Sequence, residues 1–168
     1  GIHKLKKDPN SAGSTLETAC KNGDARACSI AAQQLFPGRG GKADEQKALR
    51  LYTLGCNGGN QHACTNLGLM YSGAAKSIPI DDKKALSLSL RACHGGVCTA
   101  CGNAGLRYEM GMDLPKDEKL AARLFERACR FDSGDCFRLA ILHEHGGGVS
   151  KDDSRAKDLF SKTCSAHS

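Results

Sequence analysis

The sequence predicts an all-α protein, an α/α superhelical solenoid stapled by disulfides, and three observations carry that expectation. Cysteines return in pairs eight positions apart, Cys20/Cys28, Cys56/Cys64 and Cys93/Cys101, with Cys129/Cys136 one residue shorter. The first cysteines, continued by Cys164, step by 36, 37, 36 and 35 residues, a period that announces an array of repeated supersecondary units. Between the cysteines, small and apolar residues fall three, four and seven positions apart, which is one face of a helix.

Each unit reads as Cys, helix A, glycine-rich loop, Asp, helix B, Cys. Twelve residues before each first cysteine stands Asp8, Asp44, Asp81, Asp117 or Asp152. Aspartate is a favoured N-cap because its carboxylate accepts an orphan N–H of the first turn, so helix B starts there. Eight residues before the cysteine is Ala12, Ala48, Ala85, Ala121 or Ala156, and four before it Leu16, Tyr52, Ser89, Phe125 or Phe160. Those two positions share a helical face, and the alanine lets a neighbour approach closely.

Helix A follows the second cysteine. Its offset +3 is Ala31, Leu67, Ala104 and Leu139, its offset +4 Ala32, Gly68, Gly105 and Ala140, and its offset +7 Leu35, Tyr71, Tyr108 and His143. Gly38, Gly73, Gly111 and Gly146 then end it, as expected of a left-handed C-terminal turn. Residues 1–24 supply a partial first repeat, with Asp8-Pro9 placing proline at the first helical position. Repeats over about 27–60, 63–97, 100–133 and 135–168 complete a single repeat domain spanning 1–168. The loop Gly73–Asp81 is two residues longer than its counterparts, and its Ile78-Pro79-Ile80 is either a packed loop or a contact point.

Composition agrees. With 40% hydrophobic residues, 5% aromatics and no Trp, the interior is built mainly from Leu and Ala, which suits closely approaching helices. Ten cysteines in 168 residues read as a disulfide framework made in an oxidising compartment, periplasmic or secreted. No apolar run approaches the roughly 20 residues of a membrane helix. No signal peptide is present, so the expectation is the exported, mature part of a longer precursor. A net charge of +6 is modest and spread along the chain apart from Lys4, Lys6 and Lys7, which argues against a nucleic-acid partner.

In each pair the first cysteine ends helix B and the second opens helix A, across a turn tight enough for a disulfide. Closing a loop of about nine residues contributes roughly 2.5 kcal/mol in the chain-entropy model, so four such bridges supply about 10 kcal/mol. A spacing of eight, repeated along the chain, fits neither the Cys-x2-Cys pairs of a zinc site nor a single redox motif, and no metal or other cofactor is expected. Cys98-Thr99-Ala100-Cys101 has redox spacing, but Cys101 already pairs with Cys93. Cys98 and Cys164 are therefore the unpaired cysteines. His143-Glu144-His145 looks like a metal tripeptide, yet two residues of separation on a helix point the imidazoles apart, and His143 holds a packing position. His62 and His94 fall in the stapled turns and read as solvated.

The stretches Ala63–Gly73, Asp81–Leu86 and Gly146–Ala156 resemble the Sel-one-like repeat family, a relative of the tetratricopeptide repeats. With its paired cysteines the chain is similar to the cysteine-rich bacterial branch typified by the Helicobacter cysteine-rich proteins. The resemblance implies an exported α/α superhelix that binds a protein or peptide in a concave groove, as adaptor, host-interaction factor or periplasmic inhibitor of a secreted effector enzyme. If the stack curves as that family does, offsets +2 (Ile30, Asn66, Asn103, Arg138) and +6 (Gln34, Met70, Arg107, Leu142) line the groove. Asn66, Met70, Asn103, Arg107 and Arg138 are then the candidate partner-binding residues: Asn bonds a peptide backbone in both directions, and Arg grips a carboxylate bidentately.

The same branch is associated with binding or hydrolysis of β-lactams, which makes a cell-wall-fragment-binding protein with weak β-lactamase activity the alternative. Ser154-Arg155-Ala156-Lys157 formally matches Ser-x-x-Lys. Ala156 is however the packing alanine of its repeat, and the Ser-Asp-Asn and Lys-Thr-Gly partners are absent. No catalytic residue is assigned.

Overall fold

The computed structural model describes residues 9–36, 44–111, 115–130 and 133–165, and within them it is built of helices without strands. Asp8, Gly38 and the side chains of Ala12 and Cys164 lie outside the described residues. The chain forms two compact units, Gly1–Ile80 and Asp81–Ser168.

The first unit holds α1 (Pro9–Lys21), α2 (Ala25–Leu35), α3 (Glu45–Asn57) and α4 (Gln61–Leu69), each packed on the next. Met70–Ala74 prolong α4 by one turn, which Gly73 breaks with a positive φ of 93°. The second unit holds α5 (Asp82–His94), α6 (Cys98–Met110), α7 (Glu118–Cys129), α8 (Ser133–His145) and α9 (Asp153–Ser165), again packed in succession.

The aspartate ruler marks real helix starts. Asp44, Asp81, Asp117 and Asp152 each accept a hydrogen bond from the backbone N–H three residues on, at 2.9 Å in every case. Such a cap contributes about 1 kcal/mol. The turns between paired cysteines are capped likewise by Asp24 and Asn60. Val97 stands at that position before α6 and supplies no side-chain cap.

Cys20–Cys28 and Cys56–Cys64 staple α1 to α2 and α3 to α4, while Cys93–Cys101 and Cys129–Cys136 staple α5 to α6 and α7 to α8. The Cα atoms stand 4.5 to 4.7 Å apart, including the pair that is one residue shorter. Ala48, Ala85, Ala121 and Ala156 are buried, as are the small residues Ala32, Gly68, Gly105 and Ala140 of the A helices. Gly105 shows why size matters: a Cβ there would lie 2.9 Å from the Phe125 ring. Phe125 is fully buried and anchors the core of the second unit with Leu139, Leu142 and Leu159.

Two loops return against the start of an earlier helix B. In the first unit the Glu45 carboxylate, in the first turn of α3, accepts the N–H groups of Lys76 at 3.1 Å and Ser77 at 2.7 Å. Gln46 donates to the Ser77 carbonyl at 3.2 Å. Hydrogen bonding, first from the Ser77 side chain and then from the backbone N–H groups of Ser77 and Lys76, holds Glu45 below the usual carboxylate range. Ile78 is buried and Ile80 is 66% exposed, so the two isoleucines divide the roles of packing and surface.

In the second unit the contact is between main chains. Gly148, at φ 69°, lies so close to α7 that a Cβ would fall 2.2 Å from the Glu118 carbonyl carbon. The loop is closed by the Asp152 N–H donating to the His143 carbonyl at 2.9 Å.

Candidate functional site

The A-helix offsets expected to face a partner divide by burial. In the first unit, Ile30 of α2 is 44% exposed and Asn66 of α4 is half-buried. Met70 is fully buried, and this corrects the expectation that it faces a partner. Leu142, at the same offset of α8, is 5% exposed, so an offset +6 side chain packs inward in each unit.

In the second unit, Asn103 of α6 is half-buried and Arg138 of α8 exposed. Arg138 Nη1 donates to Glu109 Oε2 at 3.0 Å, linking α8 to α6 across their solvent side. An ion pair this accessible contributes about 0–1 kcal/mol, so the guanidinium can exchange Glu109 for another acceptor at little cost. Arg107 differs: it is 5% exposed, and its guanidinium donates to Asp82, in the first turn of α5. A buried cation demands a partner, and Asp82 supplies it. Arg107 is thereby corrected from a surface contact to an internal tie between α5 and α6.

Sequence reasoning missed Asp82, although a signal exists. An acid directly follows each capping aspartate from Asp44 onward, as Glu45, Asp82, Glu118 and Asp153. An acid at that place is favoured by the helix dipole, and here Glu45 and Asp82 also grip another segment of their unit.

The other motifs are placed as follows. Cys98 is a free, half-buried thiol at the start of α6, with Sγ 3.7 Å from the Gly96 carbonyl oxygen. His145 Nδ1 lies 3.0 Å from the Ile141 carbonyl and 3.9 Å from Glu144 Oε2, out in solvent, whereas His143 is half-buried. Among the described residues no three His, Cys, Asp or Glu side chains form a cluster able to hold a metal ion. Ser154 and Lys157 are exposed on α9, and Ala156 between them is buried. No described helix is long and apolar enough to cross a membrane.

Short helices paired through a small-residue seam, with a disulfide across each B-to-A turn, define a disulfide-stapled α/α-repeat protein. The profile of the Sel1 repeat matches residues 25–60, 61–97, 99–130 and 135–168, most of the chain. The chain belongs to the Sel1 repeat family, whose members are scaffolds that generally serve protein–protein interaction. No curated protein matches it.

Among solved structures it is similar in fold to a protective antigen of uropathogenic Escherichia coli strains, described as displaying an SLR fold. The TM-score is 0.86 and identity 19%, over 93% of this chain and 33% of that one. It is also similar to a Sel1 repeat protein from Oxalobacter formigenes, with a TM-score of 0.81 and 26% identity over 96% and 47% of the two chains. Cysteine-rich protein B of Helicobacter pylori gives 0.59 and 27%, over 78% and 95%. The chain thus spans about a third and just under half of the first two relatives.

Proposed function

We propose that this chain is an exported bacterial repeat scaffold that binds a protein or peptide through those A-helix positions its core does not use. Support for the binding surface comes from the way offset +2 escapes packing. Ile30 and Asn66 in the first unit, and Asn103 and Arg138 in the second, all remain at least partly accessible, while offsets +3 and +4 of the same helices are buried. Three of those four side chains offer hydrogen-bonding groups suited to a peptide main chain or a carboxylate. Four disulfides favour an oxidising compartment, hence export to the periplasm or beyond. An adaptor, a host-interaction factor and an inhibitor of a secreted effector enzyme all use such a surface.

The test is affinity capture from the native cell envelope with the oxidised chain, followed by titration of the captured protein. Replacing Asn66, Asn103 and Arg138 together by Ala is expected to weaken binding at least tenfold while the melting temperature holds, because none of the three lies in the core. Unchanged affinity would overturn the assignment of this surface.

A further inference from the structure

Within the second unit, α7, α8 and the loop leading into α9 enclose a cleft of about 330 Å³, enough for one side chain and its terminal group. Lys119, Arg123 and Glu126 reach it from one face of α7, spaced four and three residues apart. Arg155 enters from the first turn of α9. The loop that delivers it is fixed by the contact of Gly148 with the Glu118 main chain and by the bond from Asp152 to His143.

The chemistry of this cleft is unspent. Among the described residues, the side chains of Lys119, Arg123, Arg155 and Glu126 make no ion pair. His143 also lines the cleft, and its Nδ1 is buried with no hydrogen-bond partner. Ala122, Leu139 and Val149 supply an apolar wall beside these polar groups.

We propose that this cleft binds the carboxyl-terminal residue of a peptide whose last side chain is apolar. The carboxylate pairs with Arg123 and Arg155, the side chain lies on Ala122, Leu139 and Val149, and Glu126 accepts the ligand N–H. Glu126 on the same rim disfavours a doubly charged phosphate, and the apolar wall favours a carboxylate attached to hydrocarbon over a free inorganic anion. The site uses none of the partner-binding residues proposed above, and its failure would leave that reading untouched.

The experiment is an amide-resolved NMR titration of the oxidised full chain with acetyl-Ala-Ala-Leu, its carboxyl-terminal amide, and sodium acetate. The free acid is expected to shift the amides of Leu139, His143, Val149 and Arg155 saturably, with the amide and acetate binding at least about tenfold more weakly. The double variant Arg123→Gln/Arg155→Gln, both on exposed side chains, is expected to lose about tenfold or more in affinity with its melting temperature unchanged. Equal binding of the amide would show that charge is not read, and equal binding of acetate would mean an adventitious anion only. Either result, or the absence of a saturable shift, overturns the proposal. The acid-against-amide contrast is made on the unaltered protein, so it stands whatever the variant does.

Discussion

The loop at residues 75–80 and the loop at residues 146–152 perform one task, returning the chain against the first turn of an earlier helix B, by different chemistry. In the first unit a carboxylate does it: Glu45 gathers two backbone N–H groups and the buried Ile78 adds an apolar anchor. In the second unit Gly148 does it by lacking a side chain, so that two main chains meet. The polar clamp tolerates small displacements but depends on protonation. The main-chain contact is indifferent to pH but admits no added atom. A repeat thus specifies where its loop must land, and leaves open whether charge or shape holds it there.

The sharpest way to break this contrast is Gly148→Ala. A non-glycine residue in the left-handed region costs about 1–2 kcal/mol, and displacing the loop from Glu118 raises the expected loss to about 3 kcal/mol, read by urea denaturation. A loss below about 1 kcal/mol would show that the loop is not held by close contact. Next come the staples, which both units share. Replacing both cysteines of Cys56–Cys64, or both of Cys129–Cys136, by Ala is expected to cost about 2.5 kcal/mol in either unit, because the closed loops are nearly equal in length. Markedly unequal losses would show that the two units differ in more than their loops.

The smallest effect is expected of Glu45→Gln. Glu45 has its carboxyl held below the usual range, so its contribution is fully present above that range and is lost as pH falls through the lowered value. The variant should therefore be less stable than the parent at neutral pH, with faster amide exchange at Lys76 and Ser77, and the difference should vanish in acid. Gly148→Ala should show no such convergence.

Much of this was legible because the repeat supplies its own controls. One aspartate can be anything, but the same residue at the same offset from each cysteine pair reads as a cap, and Asp44, Asp81, Asp117 and Asp152 are caps. Burial of Ala48, Ala85, Ala121 and Ala156, each eight residues before a first cysteine, and the four disulfides were legible for the same reason. Met70 and Arg107 were not. A uniform helix puts offset +6 beside offset +2, on the open face. Met70 and Leu142 instead pack inward at that offset, and Asp82 neutralises Arg107 so that it too can be buried. The cleft at Arg123, His143 and Arg155 was beyond the periodic pattern as well, since it joins three helices through a loop that glycine alone can seat.

The close spacing of the staples, eight residues in three turns and seven in the fourth, bears on how the chain acquires them. Each native partner is the nearest cysteine along the chain in the first, second and fourth turns, so random collisions during oxidation favour the correct bond, and each closes once a single turn has met an oxidant. Such a chain needs little reshuffling by an isomerase. The third turn is the exception, because Cys98 lies three residues from Cys101 and five from Cys93 and competes with each for the other. Oxidative maturation is therefore expected to stall, when it stalls, around α6.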